Sequence, residues 1–225
     1  MLEFKFKDSN ASFLSYRFTF SGLRGLRSRL MGEKFDIDPR LAREGREAEK
    51  DLRATLSSGG RPGRTGEFVL AEISPNKQHM EGVNTELGVT LATEADIISN
   101  GPAMVDYRGV PSSVMRIIEI KNREDIYPMD VFQALWMLTV ANLNDFDVDA
   151  VDCAVYAVKS ENYVMVNDQD REVCAEQISR LVLIARILAE GKSLKASGRN
   201  AYKSEFLNTF ATVLNQISIN FNLSE

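Results

Sequence analysis

The 225-residue chain is poor in the residues that metal clusters, disulfide frameworks and nucleophilic triads need. It has two cysteines, Cys153 and Cys174. Two thiolates cannot complete an ordinary iron–sulfur cluster or a four-ligand structural zinc site, so both read as buried free thiols. It has one histidine, His79, in the polar stretch SPNKQHMEG. One histidine excludes a His-rich metal centre, and no GxSxG elbow accompanies it, so His79 reads as a surface residue. No GxxxxGK[ST] loop and no strand-linked GxGxxG is present, which leaves nucleotide cradling without support. No apolar run approaches the roughly 20 residues of a membrane-spanning helix. The start, MLEFKFKDSN, lacks the apolar core of a signal peptide. The expectation is a soluble cytoplasmic protein with no membrane partner.

What is present is ordinary in bulk and uneven in charge. Hydrophobic residues make up 44% and charged residues 26%, as in a globular domain. The net charge of -5 divides unequally: residues 1–64 carry 14 Lys and Arg against 9 Asp and Glu, and the remainder is acidic. A basic first quarter on an acidic body suits a polyanionic partner. The candidates for its contacts are Arg24, Arg27 and Arg29, and then Arg61 and Arg64 in the loop SSGGRPGRTG.

Periodicity and turn residues divide the chain as follows. Residues 18–20 are open between strand and helix. Residues 36–57 read as a helix, with Asp38 as N-cap, Pro39 at the first helical position and Leu41, Ala48, Leu52 and Leu56 on one apolar face. Strand-like runs follow at Glu67–Ile73 and Leu87–Ser99, then a turn at Asn100-Gly101-Pro102. A connector YRGVPSS precedes a strand through Glu119-Ile120-Lys121, and Pro128 opens a helix, PMDVFQALWMLTVANLN. Val151–Val158 and Tyr163–Val166 read as a hairpin. Helices at about 168–190 and 199–219 close the chain. The first of them is apolar around more than one stripe (Ile178, Leu181, Val182, Ile184, Ile187, Leu188), which fits burial against the core or a partner subunit. The expected architecture is α/β: one domain over residues 1–225, with a central mixed β-sheet flanked by helices over about 36–166 and a helical extension over about 168–221.

The chemistry concentrates on the run Arg116-Ile-Ile-Glu119-Ile-Lys121. On a strand, Glu119 and Lys121 point one way while Ile118 and Ile120 point the other. A charged pair on an apolar strand is costly unless paired or bound to metal. Asp96 sits at the polar end of the run Ala95-Asp96-Ile97-Ile98, and if its strand pairs with the Glu119 strand the three side chains converge. Asp96, Glu119 and the carbonyl of Ile120 could then hold Mg²⁺ or Mn²⁺, with Lys121 orienting a water or balancing phosphate charge. Rival carboxylates are Glu94, Glu72 and Glu86. A surface ion-pair ladder is the alternative account of Glu119 and Lys121.

Asp96 followed by Glu119-Ile120-Lys121 resembles the signature of the PD-(D/E)XK nuclease superfamily, with Ala95 where the proline of the name stands. Gln133, in VFQALWMLTVA, falls where RecB-type nucleases carry a Gln on the helix after the ExK strand, with Trp136 as the nearest aromatic. Gly45-Arg-Glu-Ala-Glu49 resembles their Gly-x-x-x-His element, with Glu49 in the place of the His. Holliday-junction resolvases of the same superfamily place a Glu there, and Glu44 and Glu47 are its neighbours. The resemblance covers about residues 36–166. It implies a restriction-endonuclease-like core and catalytic roles for Asp96, Glu119, Lys121 and Gln133. It further implies metal ligation by Glu49, Asp96, Glu119 and Ile120, a Mg²⁺ or Mn²⁺ cofactor, no iron–sulfur cluster and a DNA substrate cleaved to leave a 5′-phosphate. Many members act as dimers, which leaves a homodimer or higher homo-oligomer open. With no sequence-reading module visible, selection of DNA structure or ends is expected. The rival readings are a nuclease fold without catalysis that binds DNA or serves assembly, and a structural oligomer built on the C-terminal helices.

Overall fold

A computed structural model describes residues 16–34, 38–57, 72–74, 76–105, 111–144, 150–166, 168–191 and 196–221. Strand β1 (Tyr16–Thr19) turns directly into helix α1 (Phe20–Met31). Thr19 makes the switch. Its backbone is extended, and its hydroxyl accepts the N–H of Gly22 at 3.0 Å, capping the helix. The stretch around residues 18–20 is therefore both strand and helix, divided at one hydroxyl. At the other end Gly32 takes φ 74°, and its N–H returns to the carbonyls of Arg29 and Ser28.

Helix α2 (Pro39–Ser57) starts as expected, with Asp38 accepting the N–H of Arg40 at 2.8 Å. Its expected apolar face is only partly used. Leu52 packs inward, Leu41 is exposed, and the Leu56 side chain lies outside the described residues. Glu49 is buried instead.

The expected single sheet is two among the described residues. Strands β3 (Gln78–Asn84) and β4 (Val89–Ala95) form an antiparallel pair, and β1 runs parallel to β4, giving the order β1-β4-β3. The second sheet contains β2 (Glu72–Ile73), β5 (Ile97–Val105), β6 (Pro111–Lys121), β7 (Ala150–Ala157) and β8 (Asn162–Met165), in the order β2-β5-β6-β7-β8. Neighbours in it are antiparallel except β6 and β7, which are parallel and joined through helix α3 (Pro128–Asn142). Such a crossover is what parallel strands require. The β7–β8 hairpin matches expectation.

Three boundaries differ from the sequence reading. The run Leu87–Ser99 is two strands, broken at Asp96, and the chain passes from one sheet to the other there. Asn100-Gly101-Pro102 is not a turn but the middle of β5, pairing with Met115, Val114 and Ser113. The register shifts between Pro102 and Val105, the kind of irregularity where a strand tolerates proline. From Gln78 on, the polar stretch containing His79 is strand β3, with Met80 and Gly82 inward and polar residues outward. Of the expected strand Glu67–Ile73, only Glu72 and Ile73 lie among the described residues.

Helix α3 is buried almost all round, packed against β3, β4, β6 and β7 and against helices α4 (Asp168–Glu190) and α5 (Ala196–Phe221). Phe132 stands edge-on to both Phe20 and Phe210, with centroids 5.1 Å apart in each pair. The Trp136 indole is fully buried and donates to the Ala92 carbonyl at 3.0 Å, tying α3 to β4. The apolar stripes of α4 are filled by this packing: Ile178, Leu181, Val182 and Ile184 are buried within the chain. Cys153 and Cys174 are buried free thiols, as expected, and burial pushes both up. On the other face of the five-stranded sheet, Ile97, Ile118, Ile120, Ala154 and Tyr156 form a second cluster against Leu52 of α2. The alternation expected for β6 therefore holds, with Ile118 and Ile120 facing α2 and Glu119 facing α3. No helix among the described residues is long and apolar enough to cross a membrane.

Candidate functional site

Glu119 and Lys121 lie two residues apart at the C-terminal end of β6, so their side chains share a face. Glu119 is only 5% exposed, which removes the surface-ladder account of the pair. Its Oε1 accepts from Lys121 Nζ at 2.6 Å and from Gln133 Nε2 at 2.7 Å. The Gln133 Oε1 in turn accepts from Lys121 Nζ at 3.1 Å. Helix α3 supplies Gln133 from its second turn, and its Pro128 start aims it back at β6. The other carboxylate oxygen, Glu119 Oε2, is buried without a hydrogen-bond partner. An orphaned buried acceptor is costly and asks for a cation or a proton. Burial, with the Asp96 charge second, pushes the Glu119 carboxyl up to about 7 against the opposing pull of Lys121 and Lys77.

Asp96 reaches this face from the junction of the two sheets. The pairing of Ile97 with Ile118 brings Asp96 level with the Glu119–Ile120 peptide. Its Oδ2 accepts the N–H of Ile120 at 2.8 Å, and its Oδ1 accepts from Lys77 Nζ at 2.6 Å. Lys77 also meets Glu49 Oε2 at 2.9 Å. Arg53, one helical turn beyond Glu49, donates to Glu49 Oε1 at 2.9 Å, to the Ser74 carbonyl at 2.7 Å and to the Asp96 carbonyl. The Asp96 bend is thus held through both its side chain and its backbone. Burial pulls the Lys77 ammonium down, but the Asp96 charge and the hydrogen bonds to Asp96 and Glu49 outweigh it and hold Lys77 above its ordinary value.

A cavity of about 380 Å³ opens onto these groups, with Lys77, His79, Glu94, Asp96, Glu119 and Gln133 in its wall. The residues at the start of α1, Thr19, Phe20 and Ser21, also line it. Asp96 is the inward carboxylate and Glu94 an exposed one on the same wall. Glu86 is exposed and apart, and the Glu72 side chain lies outside the described residues. Of the three neighbouring glutamates on α2, only Glu49 is buried at the site. Ile120 contributes its N–H to Asp96, while its side chain lies on the opposite face.

Sequence reasoning did not find Lys77, Arg53 or Asp130. Arg53 could have been read from its i, i+4 spacing to Glu49. Asp130, at the third position of a helix opened by Pro128, accepts the Tyr127 N–H at 2.8 Å and the Arg123 guanidinium, and stands 3.8 Å from Lys121. An acidic residue there is a helix-start signal. Lys77 carries no periodic signal at all. His79 is a surface residue as expected, 2.9 Å from Glu81, but it also lines the cavity.

Three of the expected DNA-contacting arginines, Arg24, Arg27 and Arg29, lie on helix α1. Arg24 lies over the Phe20 ring, 6.0 Å from its centroid, within electrostatic reach of Asp130 and Arg123, and burial lowers it. Arg27 lies over Phe210 at 5.5 Å and 3.6 Å from Glu33. Arg29 is exposed in the last turn of α1. Arg61 and Arg64 fall outside the described residues.

Among the described residues, no three His, Cys, Asp or Glu side chains are grouped as a ready metal-ligand set. Lys77 stands between Glu49 and Asp96, and Lys121 and Gln133 stand against Glu119. The chemistry of the donors nonetheless fits a hard divalent ion. All three side chains offer carboxylate oxygen, and one buried oxygen lacks any partner. No protein family, curated protein or solved structure matches the chain.

Proposed function

We propose that this chain is a Mg²⁺- or Mn²⁺-dependent nuclease that hydrolyses phosphodiester bonds in DNA, on a core of PD-(D/E)XK type. The observation that carries the reading is the convergence of Asp96 and Glu119 on one cavity, with Lys121 paired to Glu119 and a buried carboxylate oxygen left without a partner. The strand arrangement supports it: antiparallel β5 and β6 bring the acidic residues level, and α3 carries Gln133 back over them on its way to parallel β7.

Asp96, Glu119 and the Ile120 carbonyl, with Glu49 behind Asp96, would hold the ion. When bound, the ion supplies Lewis-acid polarisation of the phosphate and a lowered pKa for a nearby water. The chain's own groups do the rest. Lys121 keeps an ammonium beside Glu119, where it can orient a water and balance the charge that builds on the phosphate oxygens. Gln133 fixes that ammonium and the Glu119 carboxylate relative to each other. Arg53 and the Ile120 N–H fix Asp96. In the reaction a water oxygen bonds to phosphorus, the bond to the 3′ oxygen breaks, and that oxygen leaves with a proton, giving a 5′-phosphate and a 3′-hydroxyl. Exposed Arg29 and the basic residues 61 and 64 would meet the DNA backbone, contacts that are salt-dependent and blind to sequence. The enzyme is accordingly read as selective for DNA structure or ends.

The test is cleavage of linear duplex, single-stranded, flapped and four-way-junction DNA with Mg²⁺ or Mn²⁺, beside Glu119→Ala and Lys121→Ala proteins. Metal-dependent cleavage lost in both variants is the expected result. Cleavage that persists in Glu119→Ala would sink the assignment.

A further inference from the structure

Three cations serve the acidic cluster, and they are held very differently. Arg53 is mostly buried, at 12% side-chain exposure, and engages two backbone carbonyls besides Glu49. Lys121 is nearly buried and divides its ammonium between Glu119 and Gln133. Lys77 is the most exposed, at 38%, and its two contacts are carboxylate oxygens from two different elements, Asp96 Oδ1 at 2.6 Å and Glu49 Oε2 at 2.9 Å. A single positive charge bridging two carboxylates across an acidic cleft occupies the position a hard cation takes. Lys77 lies just before β3, outside regular structure, on a flexible four-carbon stem. It borders the cavity of about 380 Å³. Its ammonium can therefore leave Glu49 and Asp96 by side-chain rotation alone, with no strand or helix disturbed.

We propose that Lys77 is a built-in counter-ion that keeps Glu49 and Asp96 paired in the metal-free protein and that a divalent ion must displace on binding. The inference rests on the metal-binding reading above and adds to it a loading threshold set by one side chain. Displacement releases the ammonium into the cavity, where an anionic substrate lies in that reading. Metal and Lys77 thus exchange for one place, and apparent metal affinity falls with the fraction of time Lys77 holds it. An ammonium in place about nine-tenths of the time weakens that affinity roughly tenfold.

The experiment is calorimetric titration of the full chain with Mn²⁺, without DNA, for the natural protein, Lys77→Met, Lys77→Gln and Lys77→Met/Asp96→Asn. Thermal melts establish which variants are folded, and Gln serves if Met disturbs the fold. The expected result is Mn²⁺ binding about tenfold tighter in the neutral variants, by the same occupancy argument, and abolished when Asp96→Asn is added. Unchanged or weaker binding in folded neutral variants overturns the counter-ion role while leaving the metal site standing. No Mn²⁺ binding by the natural protein or by the neutral variants overturns both.

Discussion

Asp96 and Ile120 are joined across the strand pair by one hydrogen bond, from the Ile120 N–H to Asp96 Oδ2 at 2.8 Å. The bond spans the point where the chain leaves one sheet for the other, so a single carboxylate both sets the bend and holds its other oxygen, Oδ1, against Lys77 in the cluster. An acidic residue at a strand junction otherwise has no packing reason to be 6% exposed.

The two functions of Asp96 are separable by substitution. Asp96→Asn keeps an oxygen for the Ile120 N–H but removes the charge, so the protein should fold and lose Mn²⁺ binding. Asp96→Ala leaves a buried N–H without an acceptor and should cost about 1–3 kcal/mol in urea denaturation. Equal stability of Asn and Ala variants would show that the hydrogen bond does not hold the bend.

Gln133 touches both Lys121 and Glu119 and links helix α3 to the acidic strand. Gln133→Ala should lower the DNA cleavage rate about 10²-fold, the scale set by loss of one positioning contact, with little change in melting temperature. Gln133→Glu sets a second carboxylate against buried Glu119, and like charges at that distance repel. It should melt lower than Gln133→Ala in the absence of metal and recover on Mn²⁺ addition. A Glu variant as stable as the Ala variant without metal would contradict the geometry.

Gly82 is where β3 meets the end of α3. A Cβ there would stand 2.5 Å from Leu143 Cβ and 3.0 Å from the Val140 carbonyl oxygen. The obstruction includes helix backbone, so relief requires β3 to move. Gly82→Ala should destabilise by about 1–3 kcal/mol, measured by denaturant midpoint. Its metal affinity, read at a temperature where it is folded, should stay near that of the natural protein, because the acidic cluster lies off this contact.

The parts of this fold that were legible in the sequence are those with a local cause. Asp38 before Pro39 announced α2, and the alternation Ile118-Glu119-Ile120-Lys121 announced which way the charges face. The convergence of Asp96 with Glu119 followed once two strands were assumed to pair. What was not legible depends on tertiary placement. The strand at Gln78–Asn84 shows few apolar residues because only Met80 and Gly82 face inward, and Gly82 adds no hydrophobic signal. Pro102 argued for a turn, yet it sits where the β5–β6 register shifts. Lys77 lies in a connecting segment, and nothing in its neighbours marks a residue that touches a helix on one side and a strand junction on the other. Glu49 was one of three candidate glutamates, and only the seating of α2 selects it.

The Glu119 carboxyl ties the site to pH. In the folded chain burial and the Asp96 charge raise it from an ordinary 4.5 to about 7, so the folded state holds this proton more tightly than the unfolded chain does. A raised carboxyl stabilises the fold while both states are protonated, below about 4.5, and that contribution is lost as pH rises through about 7. The metal-free protein should therefore lose stability between pH 4.5 and 7, by at most roughly 3 kcal/mol from this group. Glu119→Gln should flatten that slope in denaturation curves taken across the range. A bound divalent ion takes the place of the proton on the carboxylate. Mn²⁺ affinity should then climb with pH up to about 7 and level off above it, with proton release visible as a dependence of the titration heat on buffer. An affinity independent of pH across that interval would place Glu119 outside the ion's ligand set.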